Sequence, residues 1–173
     1  MDSDLYANFK ADDIRKNQFN SILMPTGKFY YKGADANNFR PFSGPQSNID
    51  SDSHYMRIAE LYLLHAEAAA ENGNDGAARS SLKALLDLRI GDSSYVDALS
   101  GKALAEEAAL QARLELFAEG QSYFIMKRRR ETRTRGANWL DNAGESFSHT
   151  DERLTYEIPQ AEITFNPNLS EQN

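Results

Sequence analysis

The chain has no cysteine among its 173 residues, which excludes a disulfide framework, a thiolate metal site and a cysteine nucleophile. Long apolar runs are also missing: no window approaches the ~20 apolar residues that a membrane-spanning helix needs. The opening Met1-Asp2-Ser3-Asp4 is acidic and polar, so these residues do not have the basic-then-apolar pattern of a signal peptide. Positive charge is scarce, with 19 Lys and Arg against 26 Asp and Glu and a formal net charge of −7. That balance argues against a nucleic-acid partner, because phosphate contact needs positive potential over a broad face. The three histidines, His54, His65 and His149, fall in no metal-ligand spacing, and no calcium-loop pattern occurs. Tryptophan occurs once, at Trp139.

What is present fits one globular domain, with 40% hydrophobic and 26% charged residues. Residues 1–52 are rich in Asn, Asp, Ser, Gly and Pro. Within them, residues 19–24 and 28–32 flank Pro25-Thr26-Gly27, which predicts a short hairpin. Residues 33–52 show no helical or strand period, an unusual length for a structureless loop in a compact domain. In residues 53–131 the periodicity becomes helical. Tyr55, Ile58, Tyr62, Ala66 and Ala69 recur at helical steps and predict an inward face, with Ser53 or Asp52 as cap and Gly73 as stop. A second helix capped by Asp75 carries Ala78, Leu82, Leu85 and Leu86, and the short connection forces an antiparallel hairpin. Small residues at Ala66 and Ala78, with Tyr62, His65 and Leu82 around them, match the pattern of a tetratricopeptide unit. A second helical stretch places Leu104, Leu110, Leu114 and Phe117 inward and is interrupted by Gly120. Residues 132–173 return to loop character, with one short extended run over 154–158. The expected fold is therefore mainly α: tetratricopeptide-like helical hairpins with long loops and a few short extended segments.

The polar constellations favour structural roles. Glu60 and Glu67 lie about two helical turns apart, and Arg57 stands three residues before Glu60, as in a helix-surface ion pair. Asp12 and Asp13 are neighbours, a common arrangement at caps and turns. His65 is expected to pack at the edge of the core. Lys127-Arg128-Arg129-Arg130, with Arg133 and Arg135, is the one basic cluster. It ends a helix, where cations offset the negative end of the macrodipole, so its expected role is intramolecular.

The order of segments resembles the SusD/RagB family. The residues that carry the likeness are Asp13-Ile14-Arg15, then Arg57-Ile58-Ala59-Glu60-Leu61 with Leu64-His65-Ala66-Glu67-Ala68 and Gly73. They continue through Arg113-Leu114-Glu115-Leu116-Phe117-Ala118-Glu119-Gly120, Lys127-Arg128 and Ile158-Pro159-Gln160-Ala161-Glu162, and close with Asn166-Pro167-Asn168-Leu169 and Gln172-Asn173. The chain departs from the family pattern at Gln121-Ser122 and Ile125-Met126, where arginine and Asp-Leu are usual. The resemblance implies the C-terminal portion of a lipoprotein on the outer-membrane cell surface. In such a protein the export signal and lipid-bearing cysteine are expected upstream. The implied activity is non-enzymatic: capture of an oligosaccharide or polysaccharide for nutrient uptake and delivery to a SusC-like TonB-dependent transporter, without a cofactor.

Sugar binding uses flat aromatic faces with amide, carboxylate or arginine groups around them. Trp139, flanked by Asn138 and Asp141-Asn142, has that chemistry. Tyr30 and Tyr31 are further candidates, as are Phe39 and Phe42 in the unperiodic loop. The rival reading is a helical-repeat adaptor that binds protein or peptide. The Ile-Pro-x-x-Glu and Asn-Pro-Asn-Leu elements of the tail favour the family reading over it. A hydrolase ranks third, because no catalytic constellation stands out.

Overall fold

A computed structural model describes residues 1–19, 21–23, 56–169 and 171 of the chain. The fold is mainly α. A short helix α1 (Ser3–Tyr6) and a 3-10 turn (Ile14–Gln18) precede the helices α2 (Ile58–Glu71), α3 (Asp75–Leu86), α4 (Gly101–Glu115) and α5 (Gln121–Arg129). A 3-10 turn (Ser94–Ala98) links α3 to α4. Two strands, β1 (Thr132–Thr134) and β2 (Ser146–Ser148), form an antiparallel hairpin, followed by a 3-10 turn (Glu152–Leu154) and α6 (Gln160–Phe165). The extended run expected over 154–158 is thus replaced by the end of that turn and irregular chain, and the loop-like tail contains α6. The hairpin expected around Pro25-Thr26-Gly27 lies outside the described residues, as do Tyr30, Tyr31, Phe39, Phe42 and Tyr55.

Helices α2 and α3 form the expected antiparallel pair. Gly73, at φ +75°, supplies the left-handed turn that ends α2. The caps differ from expectation. Arg57 precedes α2 without a side-chain cap bond, and Asn74 Oδ1 caps α3 by accepting from Ala77 N at 3.2 Å. Asp75 instead receives the Gly101 N–H at 3.0 Å and pairs with Arg79 at 3.6 Å, tying the start of α3 to the start of α4.

The inward face of α2 is rotated from the expected stripe. Ala59, Leu63, Ala66 and Ala70 are buried, whereas Ile58 is 69% exposed and Tyr62 is 39% exposed. The physical reason is α4, which packs on α2 as extensively as α3 does. Alanines 59, 66 and 70 on α2, and Ala105, Ala108, Ala109 and Ala112 on α4, leave room for close backbone approach, which the large side chains would block. Leu63, Leu82, Leu86 and Leu104 fill the space between the three helices, each contributing about 1.5–3 kcal/mol by burial. His65 is exposed rather than packed, with its Nδ1 2.7 Å from Ser81 Oγ. A second, aromatic cluster of Leu5, Phe9, Phe19 and Leu114, with Phe19 edge-on to Phe117 at 5.2 Å, fastens the N-terminal segment to α4.

Between these clusters runs a buried ionic network centred on Glu115. Its Oε2 accepts from Arg89 Nε at 3.0 Å and from Arg15 Nη1 at 3.4 Å. Its Oε1 accepts from Arg89 Nη2 at 2.9 Å and from Arg57 Nη1 at 3.2 Å. Arg15, fully buried, also holds Asp13 at 2.6 Å and Gln111 Oε1 at 2.7 Å. Arg57 is directed to Glu115 and to Glu119 (2.7 Å) instead of the Glu60 expected from helical spacing. Asp13 caps its turn through Arg15 N, while Asp12 accepts from Gly91 N at 2.7 Å, so the adjacent aspartates serve turn geometry.

A buried carboxylate that loses its partners, or a buried arginine that loses its carboxylate, costs about 3–5 kcal/mol. Glu115→Ala is therefore expected to lower unfolding free energy by about that amount in urea titration. Burial pushes the Glu115 carboxyl up, but hydrogen bonds and charges from Arg89, Arg15 and Arg57 outweigh it and hold the group below its ordinary value of 4.5. A depressed carboxylate stabilises the fold above its unfolded-state value and ceases to do so as pH falls through the folded one. The stability difference between the native chain and Glu115→Gln is expected to be largest near neutral pH and to shrink as pH drops below 4.5, read by urea unfolding at each pH.

Candidate functional site: an aromatic, arginine-lined cleft beside the β-hairpin

Helix α4 ends at Glu115, and the chain turns through Ala118 (φ +63°) and Gly120 (φ +81°) into α5. That turn sets Phe117, Tyr123 and Met126 facing the β-hairpin. Strand register places Arg133 opposite Phe147. Between helices and hairpin lies a cleft of about 420 Å³ with Phe117, Tyr123, Trp139 and Phe147 in its wall, together with Arg113, Arg133 and Arg135.

Trp139 sits in the loop joining the strands. The Arg135 guanidinium lies 4.6 Å from its ring centre and 4.8 Å from that of Phe147, so one cation bridges two aromatic faces. Arg153 approaches Phe147 at 4.4 Å. The indole Nε1 donates to Asp2 Oδ2 at 2.6 Å. The same oxygen accepts from Gly136 N at 2.7 Å, and Oδ1 accepts from Asp4 N and Leu5 N, both at 3.0 Å. Asp2 thus caps α1 and clamps the Trp139 loop at once. A Cβ at position 136 would stand 2.7 Å from Ser3 Oγ and 3.0 Å from both Asp2 carboxylate oxygens, so a larger residue there would displace the Ser3 hydroxyl and press on the clamp. Burial raises the Asp2 carboxyl, but the N–H groups of Gly136 and Leu5, the Trp139 indole and Asp4 N together hold it below the ordinary aspartate range.

Of the four candidate residues, Trp139 lines this cleft and Asn138 stands next to it in the same loop. Trp139 is 45% exposed, and since its N–H is engaged it offers ring surface rather than a donor. Asn138 is spent on the chain itself: its Oδ1 accepts from Ser3 N at 2.9 Å and its Nδ2 donates to the Met1 carbonyl at 2.8 Å. Tyr30 and Tyr31 lie outside the described residues.

The basic cluster is largely turned inward. Lys127 donates to the His149 carbonyl at 2.6 Å, and Arg128 and Arg129 grip Glu67 at 2.6 and 3.1 Å. Glu131 bridges Arg129 and Arg133. Glu67 is thereby buried under two guanidiniums and committed to ion pairing. Sequence reasoning passed over Arg113, Tyr123, Arg133 and Phe147 as site residues. Nothing in local periodicity links position 113 to 133 or 147; only the register of two three-residue strands brings them to one wall.

Because Trp139 is the sole tryptophan, its fluorescence reports this cleft alone. Asp2→Ala removes both the α1 cap and the indole acceptor. It is expected to cost about 1–2 kcal/mol of stability and to increase acrylamide quenching of Trp139 emission under native conditions.

Comparison with known proteins places the chain. The model of the SusD family matches residues 6–173. A crystal structure of a SusD superfamily protein from Bacteroides thetaiotaomicron is 29% identical, with a TM-score of 0.59. The match covers 68% of this chain and 27% of that one, so the chain spans about a quarter of its relative's length. Among curated proteins nothing matches. With the family model spanning nearly its whole length, the chain belongs to the SusD family.

Proposed function

We propose that the chain is part of a non-enzymatic glycan-binding protein, which captures oligosaccharide at the outer-membrane cell surface and passes it to a SusC-like TonB-dependent transporter. Family membership supplies the class, and the aromatic cleft around Trp139 is the observation that carries the reading to a place on this chain. A sugar ring presents C–H groups on one face, which stack on an aromatic ring, while its hydroxyls reach neighbouring polar groups. The exposed part of Trp139 offers that surface, and Arg135 braces the ring.

Binding without hydrolysis fits the state of the nearby carboxylates. General acid–base work on a glycosidic bond needs a pair of carboxyl groups free to exchange protons with substrate. Asp2 accepts four hydrogen bonds from neutral donors, and Glu131 is held by Arg129 and Arg133. Both are committed to holding structure. Among the described residues no helix is long and apolar enough to cross a membrane. Residues 53–131 then act as the tetratricopeptide-like scaffold, flanked by loop-rich residues 1–52 and 132–173, within one C-terminal SusD-like unit.

One observation favours the peptide-binding alternative: Ile58, Leu61 and Tyr62 leave an apolar outer face on α2. The two readings separate in a thermal-unfolding panel of plant, host and microbial oligosaccharides beside amphipathic peptides. A ligand that binds only the folded chain raises the midpoint as its concentration passes Kd. The expected result is a saturable shift with one glycan class and none with peptides. Trp139→Ala is expected to weaken glycan binding by roughly three- to tenfold, the worth of one aromatic stacking contact. A folded chain that shifts only with peptides makes the adaptor reading correct.

A further inference from the structure

The cleft has a charge opposite to that of the chain. Its wall carries Arg113, Arg133 and Arg135 against a single carboxylate, Asp2, although the whole chain has a formal net charge of −7. Arg135 is committed to the two aromatic rings and donates to the Asp141 carbonyl at 3.0 Å. Arg133 pairs with Glu131 through Nη2, leaving its buried Nε without an acceptor. Arg113 has no hydrogen bond or ion pair among the described residues, and its buried Nε likewise lacks an acceptor. Asp2 does not compensate either arginine by contact, because its oxygens are taken up by the four N–H donors already described.

A partly buried guanidinium without a counter-charge is costly, since desolvation is not offset by pairing. Burial and the neighbouring Arg133 pull Arg113 down to about 10, more strongly than the charges of Glu131 and Asp2 hold it up. Arg113 and Arg133 also line an adjoining polar groove of about 480 Å³, so they stand where the two spaces meet. The aromatic wall and the spare guanidinium N–H groups are therefore available to one ligand: ring surface for a sugar, and a planar donor fork for a negative group on it.

We propose that the cleft binds an anionic glycan, whose carboxylate or sulfate ester pairs with Arg113 and Arg133 while a sugar ring stacks on Trp139. This inference rests on the glycan-binding reading and names its substrate class. The anion supplies the hydrogen-bond acceptor that the Arg113 guanidinium lacks among the described residues. Neutral oligosaccharides of the same backbone make only the stacking part of the contact.

The test is titration of the full chain, by calorimetry and by Trp139 fluorescence, with an oligogalacturonide, a sulfated chondroitin oligosaccharide and a neutral galacto-oligosaccharide of matched length. The expected result is that one anionic ligand binds at least about tenfold more tightly than the neutral one. Arg113→Gln removes that preference and Arg113→Lys restores part of it, with folding of each variant verified by its unfolding midpoint. Since Arg113 makes no hydrogen bond or ion pair among the described residues, the Gln variant is expected to keep the native midpoint. Comparing the uronate with the sulfated ligand identifies the anionic group. Equal affinity for neutral and anionic ligands, or a preference that survives Arg113→Gln, overturns the inference and leaves glycan binding standing. Absence of binding by all three overturns both.

Discussion

Glu115 is the point on which the structure hangs. A carboxylate sealed from water is tolerated only when cations and hydrogen-bond donors surround it. Here the donors are Arg15, Arg57 and Arg89, which come from three segments distant in sequence. Meeting at one carboxylate fixes the N-terminal turn, the start of α2 and the end of α3 against the last turn of α4. The charges balance locally, because Asp13 and Glu119 join Glu115 opposite the three arginines. Such a network adds little net stability over an apolar core of the same shape. Its effect is geometric, since it ties three segments distant in sequence to one point on α4.

The same turn of α4 orients the cleft. Successive residues on a helix differ by about 100°, so Arg113, two positions before Glu115, points to nearly the opposite side. Glu115 faces the network and Arg113 faces the hairpin. Leu114, between them, is buried in the aromatic cluster that holds the N-terminal segment. That segment carries Asp2, whose carboxylate clamps Gly136 and Trp139. Placement of the tryptophan therefore depends on α4 by two routes: directly across the cleft, and through α1.

Much of the helical scaffold was legible in the sequence, for identifiable reasons. Gly73 ends α2 because only a left-handed residue turns the chain there, and Ala66 and Ala78 are small where helices approach. Reading the inward face of α2 failed by about one residue step, since periodicity alone ranks Ile58 and Tyr62 above Ala59 and Leu63. What decides is α4 on the other side, whose alanines complement alanines and leave the bulky residues outside. The motifs containing Asp13, Arg15, Arg57 and Glu115 were visible as separate pieces, but their convergence was not, because local spacing pairs Arg57 with Glu60. At the site, Trp139 was legible as the single tryptophan in a polar loop. Its hydrogen bond to Asp2 spans the chain from one end to the hairpin, and no local pattern reveals such a contact.

The treatment of charge along α4 separates scaffold from site. At Glu115 each arginine meets a carboxylate within 3.4 Å, and the cluster is closed to further partners. Two residues earlier, Arg113 makes no ion pair among the described residues and stands beside a second arginine, in a cleft lined with rings. A chain with 26 carboxylates does not lack anions to place there. Glu131 is shared between Arg129 and Arg133, and Asp2 lines the same wall but is held by backbone and indole N–H donors, so neither makes an ion pair with Arg113. An arginine used only for stability in such surroundings is expected to be paired or replaced by an apolar residue of similar size. On the proposed reading, the partner for this guanidinium is an anion carried by the ligand. The proposed ligand wall thus differs from the Glu115 cluster in kind: ring surface stands beside an arginine that makes no ion pair among the described residues, whereas every arginine at Glu115 makes one.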